Sequence, residues 1–265
     1  MGGMSDANDP HWFPDASERI DPMKAARAGA RAEPPKRFYE QAAAKPVDGG
    51  FVLALDGRPA HTPGKTPLAV ASRDLAEAIA AEWQAQRDVI DPGTMPLTRL
   101  VNTALDGVSR RMAEVATETA RYAGSDLLCY RAGDPQRLVA RQAQLWDPVL
   151  AWAQESLGAR FILSEGIIYA DQPEPTLVAV RRAVDSFDDP LALASLATMT
   201  SLMGSVLLAL AVAHGRLLPE QAWAAAHVDE DFQMEVWGQD EEAGERRARR
   251  WSDMQAAVRL ISLLD

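Results

Sequence analysis

PLALASLATMTSLMGSVLLALAVAH, Pro190 to His214, runs without a formal charge at pH 7 and is long enough to cross a bilayer, so its reading decides between a membrane protein and a globular one. Its composition argues for the second. Ser195, Thr198, Thr200, Ser201 and Ser205 interrupt the apolar character, Asp188 and Asp189 stand immediately before it, and no basic cluster anchors either side. A helix surrounded by other helices can be apolar all round, and one buried helix from Pro190 to Ala213 is the expectation.

Working outward, the flanks supply helices to surround it. QRLVARQAQLWDPVLAWAQESLG places Leu145, Val149 and Trp152 at helical spacing, opened by Pro135 and stopped by Gly158. Further helices are expected from Pro175 to Phe187, from Pro219 to Val236 and from Gln239 to Leu264. Upstream, Ser72 caps a helix that carries Leu75, Ala76, Ile79 and Trp83 along one side. A second begins at Pro96, weakened or interrupted at Gly107. The period changes before Ser72. Phe51, Leu53 and Leu55 alternate with Val52 and Ala54, and Asp48-Gly49-Gly50, Asp56-Gly57 and Pro63-Gly64 supply turns, which reads as a small antiparallel module.

The fold class is therefore α+β, a small N-terminal antiparallel β domain followed by a larger α-helical domain. Residues 1–35 read as an arm, 36–71 as the β-rich domain and 72–95 as a bridging helix with its connector. Residues 96–265 form the mainly helical domain, with a minor β-hairpin near 160–169.

The 265 residues include 27 Lys and Arg against 38 Asp and Glu, a net charge of −11 that opposes binding to nucleic acid or anionic lipid. One cysteine excludes an internal disulfide, and four scattered histidines do not assemble a multi-histidine zinc site. The early residues lack the apolar core of a secretory signal, and a cytoplasmic monomer without a cofactor is the expectation. Phosphate-loop, GxGxxG, HExxH, CxxC and GxSxG patterns are missing from the sequence. Cys129, between Leu128 and Tyr130, reads as a buried structural thiol. His227, Asp231 and Glu235 follow one another at steps of four and could place an imidazole and two carboxylates on one helical face, a divalent-metal arrangement of the kind a hydrolase uses.

The densest segment is HVDEDFQMEVWGQDEEAGERRARRW, His227 to Trp251. Carboxylates flank Trp237 on both sides, Gly238 breaks the chain between two helices, and Arg246, Arg247, Arg249 and Arg250 follow within reach of them. An aromatic residue at such an acidic junction fits a protein-docking surface better than a nucleic-acid platform.

Several phrases, in this order, carry a family resemblance: KRFYEQ, GFVLALDGRPAHTPGKTPL, EWQAQRDVIDPGTMPLTRLVNTALD, YAGSDLLCYRA, RQAQLWDPVLAW, MGSVLLALAVAHG and QMEVWGQDEEA. Together they resemble the assembly chaperones that hold the free alpha subunit of the soluble sector of ATP synthase, over Lys36 to Leu264. The resemblance implies a non-enzymatic, ATP-independent chaperone that shields the alpha subunit from aggregation until the beta subunit replaces it. It also implies client-binding candidates at Glu235, Trp237, Asp240, Glu241 and Glu242, with the family's carboxylate falling on Asp240 or a neighbour. Members occur in mitochondria and bacteria, and the Ala-rich chain with its acidic start fits a bacterial cytoplasmic one. The metal-dependent hydrolase and a general protein-binding scaffold are the alternatives.

Overall fold

Strand β1 (Ala42–Val47) turns at Asp48-Gly49 into β2 (Gly50–Leu55), its antiparallel partner from Ala42 opposite Leu55 to Val47 opposite Gly50. Strand β3 (Arg58–Pro59) pairs with the far end of β2, and β4 (Ala69–Val70) pairs with its start. Leu53 and Leu55 join the core as the alternation requires, while Val52 and Ala54 on the opposite face are buried as well. A computed structural model of the chain describes residues 35–166, 168–238 and 241–264. The expected arm, apart from Pro35, and the candidate Asp240 lie outside the described residues.

Helix α1 (Arg73–Gln84) packs on β1 and β2, with Ser72 Oγ accepting from the Leu75 N–H at 3.2 Å. Its Glu82 then caps the next helix, α2 (Pro96–Asp106), because Met95 offers no capping side chain. Leu97 N–H donates to one Glu82 oxygen at 2.8 Å, and Thr98 N–H and Oγ1–H donate to the other at 2.7 Å. A carboxylate at a helix N-terminus satisfies orphan donors and complements the dipole. At the other end of α2, Asp106 accepts from Thr62 Oγ1–H at 2.6 Å and Gly64 N–H at 2.8 Å, tying the HTPGKT turn to the helix. These two carboxylates lock the β module onto the helices.

Gly107 interrupts the helix, and α3 (Met112–Arg121) follows a single 3-10 turn over Val108–Arg110. Two more such turns, Tyr122–Ser125 and Leu127–Cys129, lead to the short strand β5 (Tyr130–Arg131). Helix α4 (Gln136–Trp152) extends through one π turn to Leu157, and Gly158 stops it in the left-handed conformation at φ 74°. The hairpin expected near 160–169 is corrected: β6 (Ser164–Glu165) pairs in parallel with β5. Among the described residues, the two ends of the segment are tied to partners outside it. Ile162 N–H donates to Gln172 Oε1, and Gln172 Nε2–H to Ile162 O, both at 2.9 Å, while Gly166 N–H reaches Arg131 O.

After α5 (Glu174–Asp185), the charge-free run forms two helices where one was expected, α6 (Pro190–Met203) and α7 (Val206–Ala213). Gly204 takes φ 65°, and Ser205 Oγ accepts from Leu208 N–H at 3.1 Å to start the second helix. Asp126, which is fully buried, bridges this junction to the turn over Leu127–Cys129. Its Oδ1 accepts from Leu128 N–H at 3.1 Å and its Oδ2 from Leu207 N–H at 3.2 Å. Burial outweighs these bonds and raises the Asp126 carboxyl to about 6. Every residue of α7 from Val206 to Val212 is buried, and the buried hydroxyls of α6 are satisfied within the helix, Ser195 on Leu191 O and Thr200 on Leu196 O. Helix α6 packs against α2, α3 and α10 (Glu241–Ser262). Among the described residues no helix is long and apolar enough to cross a membrane.

The segment expected as one helix from Pro219 to Val236 also divides, into α8 (Pro219–Ala226) and α9 (Val228–Trp237), with His227 between them. One hydrophobic cluster runs from Tyr39 and Leu53 through Trp146 and Leu207 to Leu260, so the β module and the helices share a core.

Two substitutions test the Asp126 junction. Asp126→Ala leaves at least two buried N–H groups without an acceptor and should cost about 3 kcal/mol by urea unfolding, at ~1–3 kcal/mol for each orphaned donor. Asp126→Asn keeps an acceptor and should cost less. Because the folded carboxyl lies above its unfolded value, the folded state holds the extra proton between about pH 4 and pH 6. The stability of the native protein relative to Asp126→Asn should therefore fall as pH rises through that window and level off above it.

Candidate functional site

Helix α9 stands on α4 through two layers of contact. In the inner layer, buried Gln142 of α4 accepts from Ala132 N–H at 2.8 Å and donates to Asp229 Oδ1 at 2.7 Å, joining the β5 connector, α4 and α9. Nearby, Trp146 is fully buried and its Nε1–H donates to Ala225 O at 2.8 Å. In the outer layer, Glu235 lies between two arginines one helical turn apart. Arg141 meets both of its oxygens, at 2.7 and 3.0 Å, and Arg137 donates to one at 2.9 Å. Both guanidinium groups also lie near the Phe232 ring. Hydrogen bonding from Arg141 holds the Glu235 carboxyl below its usual range.

The metal face does not assemble. His227 is buried, its Nδ1 bonds Trp223 O at 2.8 Å, and its ring lies 4.0 Å from the Trp223 ring centroid. Burial lowers its pKa and favours the neutral ring. Asp231 is taken by Arg247 and Glu235 by the α4 arginines, so the three side chains at steps of four point to three different partners. Among the described residues no group of three or more His, Cys, Asp or Glu could hold a metal ion.

The client-binding candidates separate in the same way. Trp237 ends α9 with 86% of its surface exposed, beside Val236 at 56%, and Gly238 at φ 93° turns the chain away. Glu241 and Glu242 are exposed in the first turn of α10, with Glu242 accepting from Arg246 at 2.5 Å. Glu235 is thus a fastening for the helix that presents Trp237. Arg137 and Arg141 had no signal in the sequence, because their pairing with Glu235 joins helices nearly a hundred residues apart. The expected pairing of the arginine run holds at Arg246, Arg247 and Arg249, whose partner is Glu245 at 3.6 Å. Arg250 instead donates to Leu202 O, at the end of α6, at 2.5 Å.

Between α9 and α10 these residues leave an open groove lined by Met234, Trp237, Gly244, Arg246 and Arg250. It offers an aromatic and thioether surface beside guanidinium groups, an arrangement suited to binding a chain rather than to activating a bond. Cys129 lies elsewhere, buried next to Asp126, where burial pushes its thiol up to about 12. Such a thiol is inert at neutral pH.

An exposed Trp237 beside an exposed Val236 at a helix junction is the kind of surface that proteins binding other chains present. The comparisons narrow that class. A family model described as ATP12 chaperone protein matches residues 36–154. The structure of Atu1473 from Agrobacterium tumefaciens is 50% identical, covers 94% of this chain and 93% of its own, and superposes with a TM-score of 0.85. Atp12 from Paracoccus denitrificans is 41% identical over 87% of this chain and 99% of its own, at a TM-score of 0.81. The mitochondrial protein atp12 of Schizosaccharomyces pombe is 25% identical over 222 residues, 79% of this chain and 76% of its own. The chain belongs to the ATP12 chaperone family.

Neutralising Glu235 should loosen the outer end of α9 without unfolding the protein. In Glu235→Gln, amide hydrogen exchange should quicken in Val228–Trp237 while the β module keeps its protection. The Glu235 pKa is depressed, so its contribution is present above the ordinary glutamate value, about 4.3, and is lost as pH falls through the lower folded value. The difference in exchange between the two proteins should close in that acidic range.

Proposed function

We propose that this protein is an ATP-independent assembly chaperone that binds the unassembled alpha subunit of ATP synthase, keeps it from aggregating and gives it up to the beta subunit. The observation that carries the reading is its 41% identity with Atp12 of Paracoccus denitrificans over nearly the whole of that chain. The structure supplies a physical means. An exposed Trp237 on a helix fastened at its base can cover apolar client surface, and release follows when the native neighbour buries more of it. The two bacterial relatives are more similar than the mitochondrial one, which supports a site of action in the bacterial cytoplasm.

The purified protein, mixed with alpha subunit diluted from denaturant, should suppress light scattering at near-stoichiometric amounts without added nucleotide. Continued aggregation, with no complex on gel filtration, would count against the client. Trp237→Ala should weaken the complex by roughly tenfold or more, the usual scale for a central aromatic, with an unchanged circular dichroism spectrum. A parallel loss of helix would instead assign the indole to folding.

A further inference from the structure

We propose that the groove between α9 and α10 takes an acidic segment of the client, one that carries an apolar side chain among its carboxylates. This deepens the client reading above and rests on it. The groove's apolar part is Met234 and Trp237 on α9, and the small Ala243 and Gly244 on α10 let an incoming chain approach closely. Its charged part is Arg246 and Arg250 on α10.

The state of those two arginines decides the chemistry of the occupant. Arg250 has no carboxylate within ion-pair distance among the described residues and donates to a backbone carbonyl. Arg246 holds Glu242 one turn back on its own helix, with both side chains more than half exposed. Pairs of that kind are weak and exchange readily. Arg247, on the same lining, is consumed by Asp231 and forms part of the wall. On the opposite wall the described carboxylate is Glu230. In a chain of net charge −11, the described lining of the groove beside the exposed indole carries three guanidinium groups against one carboxylate. Guanidinium forks bind carboxylates in two parallel hydrogen bonds, so charge and shape both select an acidic segment, with an apolar side chain against Met234 and Trp237.

The test uses the full-length protein on an array of short overlapping peptides spanning the alpha subunit, beside unrelated peptides matched in composition. Captured peptides should carry Asp or Glu next to Leu, Ile or Phe, and capture should weaken with salt. Arg246→Gln with Arg250→Gln should weaken it at least about tenfold. Arg246→Lys with Arg250→Lys should retain more of it, and melting curves of both doubles should match the native protein. Capture of neutral or basic alpha peptides that both doubles leave unchanged overturns the groove assignment and leaves the client standing. Arginine-dependent capture of acidic-apolar peptides from the unrelated set alone keeps the groove and removes the alpha subunit as client. Absence of any arginine-dependent capture overturns the proposal.

Discussion

The fold turns on one buried carboxylate. Asp126 lies where a run of charge-free residues must change direction, and it joins the N–H of Leu207, which the break between α6 and α7 leaves without a helical partner, to that of Leu128 in the turn that it caps. An apolar residue there would strand those donors in a dry core. Water is the usual alternative acceptor, but this junction lies beneath α7, every residue of which from Val206 to Val212 is buried. The cost appears in the raised carboxyl, since desolvation exceeds what the hydrogen bonds return. What it secures is geometry. With the turn fixed, α6 can lie against α2, α3 and α10 while α7 fills the space beside α8. The same anion helps keep Cys129 protonated, so the cysteine has a structural place and no chemical one.

Much of this was legible in the sequence because it depends on local rules. The period-two run from Phe51 to Leu55, the cap at Ser72, the stop at Gly158 and the helical spacing around Trp146 all act within a few residues of themselves. The breaks were harder. Gly204-Ser205 reads locally as a small-residue pair inside an apolar helix, and its second function, to end one helix and cap another, becomes compelling only once Asp126 arrives from about eighty residues away. The parallel pairing of β6 with β5 has the same origin. Two-residue strands carry almost no pattern, and their register is imposed by Gln172 and Arg131.

The candidate site was legible in position more than in electrostatics. The crowd of carboxylates around Trp237 reads as an acidic docking face, and the four-residue spacing of His227, Asp231 and Glu235 reads as a metal face. The metal reading treats side chains as free that the folded chain has assigned, and the acidic reading does so at Glu235, while Glu241 and Glu242 remain exposed beside Trp237. Glu235 belongs to Arg137 and Arg141, Asp231 to Arg247, Asp229 to Gln142, and His227 to the carbonyl of Trp223. Once these are subtracted, the described lining between α9 and α10 sets an indole, a thioether and the guanidinium groups of Arg246 and Arg250 against the carboxylate of Glu230. A negative total therefore says little about a local field when its anions are spent on internal partners.

That subtraction also bears on how a chaperone can hold and release without nucleotide. An indole 86% exposed at the end of α9 is apolar surface that a bound chain could cover. The inner attachment of α9, through Gln142 and the core, is buried and firm. The outer attachment, through Glu235, is exposed and individually weak, as surface ion pairs are. A helix anchored at its base and loosely tied near its tip can adjust to an unfinished client surface at small cost. If α9 carries the proposed client contact, the same looseness limits the affinity gained and favours handover to the native interface.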